Sequence, residues 1–391
     1  MIEFELKHPT ISIPTLVRKL AESAYASDEA INFLITPDTP PFTDLFVLGR
    51  FLALFTDLTR NKGRKIRLSF RSNRRLESLE QLGFFAFCKE RDIICDLPSG
   101  HGKQLPLMDT RPLRNYWRCL VPLSVRPIED DRSEDAVYRS SQEILDGLSD
   151  EITTAFGDHW PDTPLPTAEI TRLVFTAMKE LLTNAIGHSD SRELIVAVSA
   201  ERSTDPRSHQ WSAESRLIDR YETLVMDVGR GVMPSILTTL GLPPVAESYS
   251  ELMYLQGTFR EIRSREESLL ANIFRGNLVI RKGRQSEGLH ELGQALTWFD
   301  GNLKLRSGRT EVTLDATRSE EPIPAIRDFR TASYFLPGTI IALSLPSKAL
   351  RSAALAAGRE SQKEITQRFR LASFVHVPKG LFGGVAPVNI L

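Results

Sequence analysis

Glu180, Asn184 and His188 recur at four-residue intervals within RLVFTAMKELLTNAIGHS, residues 172–189. On a helix that spacing sets all three along one narrow stripe. A carboxylate one turn before a carboxamide is a specific pairing of chemistries. Glu180 can accept a proton from water, and the Asn184 side-chain oxygen is a hard ligand suited to Mg²⁺, which takes oxygen donors alongside phosphates. A second position follows in LVMDVGRGV, residues 224–232, where an apolar strand ends in Asp227 and continues to Gly229 and Gly231. A buried carboxylate is a strong hydrogen-bond acceptor. Gly229 lets backbone come close to a neighbour, and Gly231 permits a tight exit.

These groups need elements to hold them. Leu173, Val174, Ala177, Met178, Leu181, Leu182, Ala185 and Ile186 repeat at helical spacing and give the Glu180 segment one wide core face. Thr167 suits the cap, Glu169 the positive helix end, and Gly187 ends the run beside a Ser-Asp-Ser cluster. GRQSEGLHELGQAL, residues 283–296, sets glycines before a helix, whose free amides near Gly288 can hold a phosphate. It is not a P-loop, because Leu289 rather than Lys follows Gly288. PGTIIALSLP, residues 337–346, carries Gly338 and Thr339 into a strand.

Any one of these pieces fits an ordinary amphipathic helix or turn. In this order, over residues 135–346, they resemble the N box, G1 box, G2 box and terminal Gly-Thr element of the GHKL superfamily. That superfamily includes the DNA gyrase ATPase domain, Hsp90-type chaperones, histidine kinases and MutL. The resemblance implies a Bergerat-type α/β sandwich, a mixed sheet covered by helices on one face, with ATP and Mg²⁺ as cofactors. It implies Glu180 as catalytic base and Asn184 as Mg²⁺ ligand. Asp227, Gly229, Gly231, Lys282, Gly288, Leu289 and Thr339 become the nucleotide-binding positions, with Asp227 on adenine and Thr339 reaching it through water. Residues 232–287 fill the place of the lid, a basic stretch in which Lys282 or Arg284 is the candidate for phosphate. One departure is Ser286, which stands where the family has a glycine and puts tight lid closure in question.

The expected activity is slow ATP hydrolysis used as a conformational switch for a protein partner or a dimer. Two alternatives stand beside it: a serine/threonine protein kinase of the anti-sigma-factor type acting on a STAS-like partner, and a non-catalytic nucleotide-binding scaffold. A sensor histidine kinase fits poorly, because the helix read at 133–157 carries no phosphoacceptor His.

Residues 1–112 read as a separate small α/β unit, regulatory or docking in role, followed by the nucleotide domain over 113–346 and a tail over 347–391. Ile31–Thr36, Ile66–Phe70 and Ile93–Leu97 are strand-like, Leu45–Leu58 and 75–89 helical, and such alternation suggests an α/β layer. ESLEQLGFF at 77–85 loosely resembles the end of a STAS-type domain. The chain of 391 residues has a net charge of −1, so no global field favours nucleic acid or an anionic membrane. Its three cysteines lack zinc spacing and read as free thiols in a reducing cytoplasm. No signal peptide and no apolar run of membrane-spanning length is expected.

Overall fold

The computed structural model describes residues 2–6, 15, 30–36, 45–71, 76–98, 116–131, 133–159, 178–179, 181–187, 189–202, 220–239, 267–272, 292, 296, 301–315 and 325–346. They form a mixed α/β structure with one parallel and one antiparallel sheet.

The parallel sheet contains β1 (Ile2–Glu5), β2 (Ile31–Ile35), β3 (Ile66–Phe70) and β4 (Ile94–Asp96), side by side in chain order. Its helices are α1 (Leu45–Thr56), continued by a π-helical turn at Asp57–Asn61, then α2 (Leu76–Gln81) and α3 (Phe84–Glu90). Phe4, Ile31, Phe33, Ile35, Ile66, Leu68 and Phe70 are buried at alternate positions, the period of a strand with one face on a core. The single helix expected over 75–89 is two. Gly83 takes φ +70 between them, and its turn is tied outward where the Leu123 N–H donates to the Leu82 carbonyl at 2.8 Å.

The antiparallel sheet contains β5 (Tyr116–Pro127), β6 (Glu193–Arg202), β7 (Arg220–Asp227), β8 (Asn302–Asp315) and β9 (Ala325–Pro346) in the order β5-β6-β7-β9-β8. All its described pairs are antiparallel, not the mixed set expected. One face carries α4 (Glu134–His159), α5 (181–187) and α6 (Val232–Thr239). Val137, Leu148, Leu181, Ile186, Met233 and Ile236 pack there on Leu194, Val196, Val198, Val225, Leu305 and Ile341. The first eight residues of the expected lid are thus a helix packed into this core.

The other face is covered too, which corrects the one-sided sandwich. Ile195, Ala197, Leu224, Met226 and Ile340 join the core of the parallel sheet through α1. The described elements therefore stack as sheet, helices, sheet, helices, with α1–α3 shared between two sheets. All of α1 except Val47 is buried, as a helix apolar on every side requires. At Gly49 an added Cβ would stand 2.7 Å from Ile340 Cγ2 and 3.0 Å from Leu224 Cδ1, so α1 lies hard against β7 and β9.

Charge pins this packing at two places. Arg50 of α1 pairs with Glu311 of β8, which also takes Arg306 Nη1 at 3.3 Å. Arg91, after α3, donates through Nη2 to Glu193 of β6, whose other oxygen takes Arg60 Nη1 at 2.7 Å. Residues 309–315 and 325–336 belong to β8 and β9, and Glu311 there supplies the first of these clasps.

Candidate functional site

Side chains of a strand alternate between faces. Val225 and Asp227 of β7, Leu305 and Ser307 of β8, and Thr339 and Ile341 of β9 therefore all turn toward α4–α6. At the end of that face a cleft is lined by Leu181, Asn184 and Ala185 of α5, Ser189, Val225, Asp227, Val232, Leu305, Thr339 and Ile341. The rest of the lining is apolar, and four polar side chains (Asn184, Ser189, Asp227 and Thr339) meet in it, the composition usual for a small-molecule site.

Asp227 is 1% exposed. Burial pushes its carboxyl up to about 7, against the hydrogen bonds of the Gly229 N–H and of the Thr339 hydroxyl and amide, which pull it down. The Gly229 N–H donates to Oδ1 at 2.9 Å. A carboxylate offers about four lone-pair sites, so three donors leave room for one more. The Thr339 hydroxyl also accepts the Val232 N–H at 2.9 Å, leaving it one lone pair for a ligand or a water.

Close packing explains the glycines. Gly338 has φ +81, and a Cβ there would stand 1.9 Å from the Asp227 carbonyl oxygen. Gly231 has φ +88, and its Cβ would meet the Gly338 carbonyl and Ser307 Oγ, each at 2.7 Å. At Gly229 a Cβ would come within 2.7 Å of the Ser191 nitrogen. These three positions let β7, β9 and the turn after α5 converge on Asp227. Ser307, which carried no sequence signal, accepts the Met233 N–H at 2.9 Å. Together with Thr339 it satisfies the first amides of α6, which lack partners within the helix.

Asn184 contributes an unsatisfied group to the cleft. Its Nδ2 is buried and has no hydrogen-bond partner, a state that costs free energy until an acceptor arrives. Of the expected site residues, Asn184, Asp227 and Thr339 thus line one cleft, and Gly229 and Gly231 lie in the turn that follows Asp227. Glu180, Lys282, Gly288 and Leu289 fall outside the described residues, as does His188. Among the described residues no group of three or more His, Cys, Asp or Glu converges, and no helix is long and apolar enough to cross a membrane.

No family model, curated protein or solved structure matches the chain.

Proposed function

We propose that the chain binds ATP with Mg²⁺ in the Asp227 cleft and hydrolyses it slowly, as a GHKL-type nucleotide switch acting on a protein partner or a second copy. The observation that carries this reading is the convergence of Asn184, Asp227 and Thr339, distant in sequence, on one apolar-walled cleft. The donor set fits the base: Asp227 has one acceptor site left for an exocyclic amine, and Thr339 one for a water. The carboxamide fits too. Its orphaned Nδ2 asks for an acceptor such as a phosphate oxygen, and its oxygen is the kind of single protein ligand that Mg²⁺ takes beside phosphates.

ATP supplies the phosphoanhydride when bound. The chain's own residues orient and exclude: Asp227 and Thr339 fix the base edge, Leu305, Val225 and Ile341 keep water from its faces, and Asn184 holds the metal oxygen shell. Glu180, four residues before Asn184, takes the proton of the attacking water. Positioning and charge neutralisation carry most of such a reaction. Lys282, Gly288 and Leu289 complete the phosphate end in this reading.

Thermal denaturation with millimolar Mg²⁺-ATP tests the binding, because a ligand of the native state raises the midpoint. A rise with ATP and none for Asp227→Ala supports the site; no rise with the wild-type chain overturns it. Glu180→Ala should still bind and should lose turnover by a factor of at least about 100. Label from γ-phosphate ATP separates the outcomes: free phosphate marks a hydrolase, and label on a STAS-like partner marks the kinase alternative.

A further inference from the structure

The clasp between β6 and the N-terminal unit lies four residues along the chain from Ser189 of the cleft wall. Glu193 is the first residue of β6, and its carboxylate faces away from the cleft toward α3 and the π-helical turn. There it takes Arg91, whose side chain is 1% exposed, and Arg60 at 2.7 Å. Arg91 is itself held, with Nε donating to Thr56 Oγ1 at 3.2 Å and its guanidinium 4.4 Å from the Phe87 ring centroid.

Four residues before Glu193, in the turn between α5 and β6, Ser189 lines the cleft. Ser191 Oγ donates to the Glu193 carbonyl at 2.7 Å and accepts the Glu193 N–H at 3.3 Å, so the two move together. Ser189 Oγ donates to the Ala185 carbonyl, which ties the same turn to α5. Gly229 packs against this turn with no slack: an added Cβ would lie 2.8 Å from the Asp190 nitrogen as well as against Ser191. Arg230 Nη2 holds Asp190 at 2.8 Å from the other side. Gly229 in turn donates to Asp227 Oδ1. A shift of Glu193 therefore reaches the Asp227 carboxylate through three contacts, Glu193 to Ser191, Ser191 to Gly229 and Gly229 to Asp227.

We propose that Glu193, clasped by Arg91 and Arg60, is a positioning residue for the cleft, through which the N-terminal unit sets the affinity for nucleotide. This rests on the nucleotide reading of the cleft. Two cations converge on one carboxylate, one deeply buried and one half-exposed. The second can be removed without stranding a buried charge.

The test uses the full chain with two variants, Arg60→Gln and the double variant Arg91→Met with Glu193→Met, which removes both buried charges at once. Mg²⁺-ATP affinity and amide hydrogen exchange at Gly229 and Arg230 are measured, together with urea stability. Both variants should show faster exchange at those amides and weaker ATP binding, about twofold for Arg60→Gln and fivefold or more for the double variant. A purely structural clasp would leave affinity and local exchange unchanged even where stability falls, and that result overturns the proposal. If the wild-type chain binds no ATP, the nucleotide reading fails. Exchange at Gly229 then decides the positioning role by itself, and unchanged protection sinks it. If the double variant does not fold, the same two measurements on Arg60→Gln decide.

Discussion

Asp227 holds a carboxyl whose folded value of about 7 lies above the ordinary carboxylate range because it is buried. The sign follows from proton counting. Between about pH 4 and about pH 7 the folded chain retains a proton that the unfolded chain has lost, so this group's contribution to stability falls as pH rises through that window and is level above it. Urea unfolding of the wild type and of Asp227→Asn across pH 5 to 8 should show the wild type losing ground to the variant up to about pH 7 and then levelling off; curves parallel throughout would refute the raised carboxyl. On the proposed reading the ionised form is the acceptor for adenine. Affinity for ATP should then rise about tenfold from pH 6 to pH 8 and level off. Gly338 gives a harsher test, since a methyl group there meets the Asp227 carbonyl at 1.9 Å with φ +81. Gly338→Ala should cost on the order of 3–5 kcal/mol by denaturant unfolding or yield no folded protein. Asp227, its two following glycines and Gly338-Thr339 were legible in the sequence because close backbone approach leaves a glycine signature. Ser189 and Ser307 were not, because a hydroxyl that lines a cleft or caps a helix across 74 residues looks like any other serine.

At the scale of elements, α1 and the central strands show how a second packed face announces itself. Leu194–Val198 and Leu224–Met226 are buried without interruption. A sheet with one face in solvent would alternate instead. That run of apolar residues was readable, and so was the all-round apolar α1; what sequence could not say was that the two face each other. The ion pairs are less legible still, since Arg50 and Glu311 are joined only by the fold. Glu311 serves two guanidiniums, those of Arg50 and Arg306, with side-chain exposures of 5% and 1%. Glu311→Gln removes the anion that both share and should destabilise by roughly 3–5 kcal/mol, whereas Arg50→Met with Glu311→Leu leaves less charge stranded and should cost much less. Equal losses in the single and double variants, measured by urea unfolding, would show that packing alone decides this contact.

For the whole molecule, the consequence is that the described elements from Ile2 to Asp96 form a layer of one structure. Alternation of strands and helices in the first hundred residues reads naturally as an autonomous regulatory unit that docks on demand. Yet the antiparallel sheet presents Ile195, Ala197, Leu224, Met226 and Ile340 to that layer, each 5% exposed or less. Without it, β6, β7 and β9 would offer a continuous apolar surface to water, of the kind that drives association. The parallel sheet in turn would lose the partner for the second side of α1. A chain starting at residue 113 should therefore be insoluble or self-associated, and adding residues 1–112 as a separate polypeptide should recover soluble material in a stoichiometric complex. Size-exclusion chromatography with light scattering reads both outcomes. A monomeric 113–391 fragment with a cooperative thermal transition would mean that the shared helix layer is dispensable, and the four-layer packing would then not be what holds the cleft together.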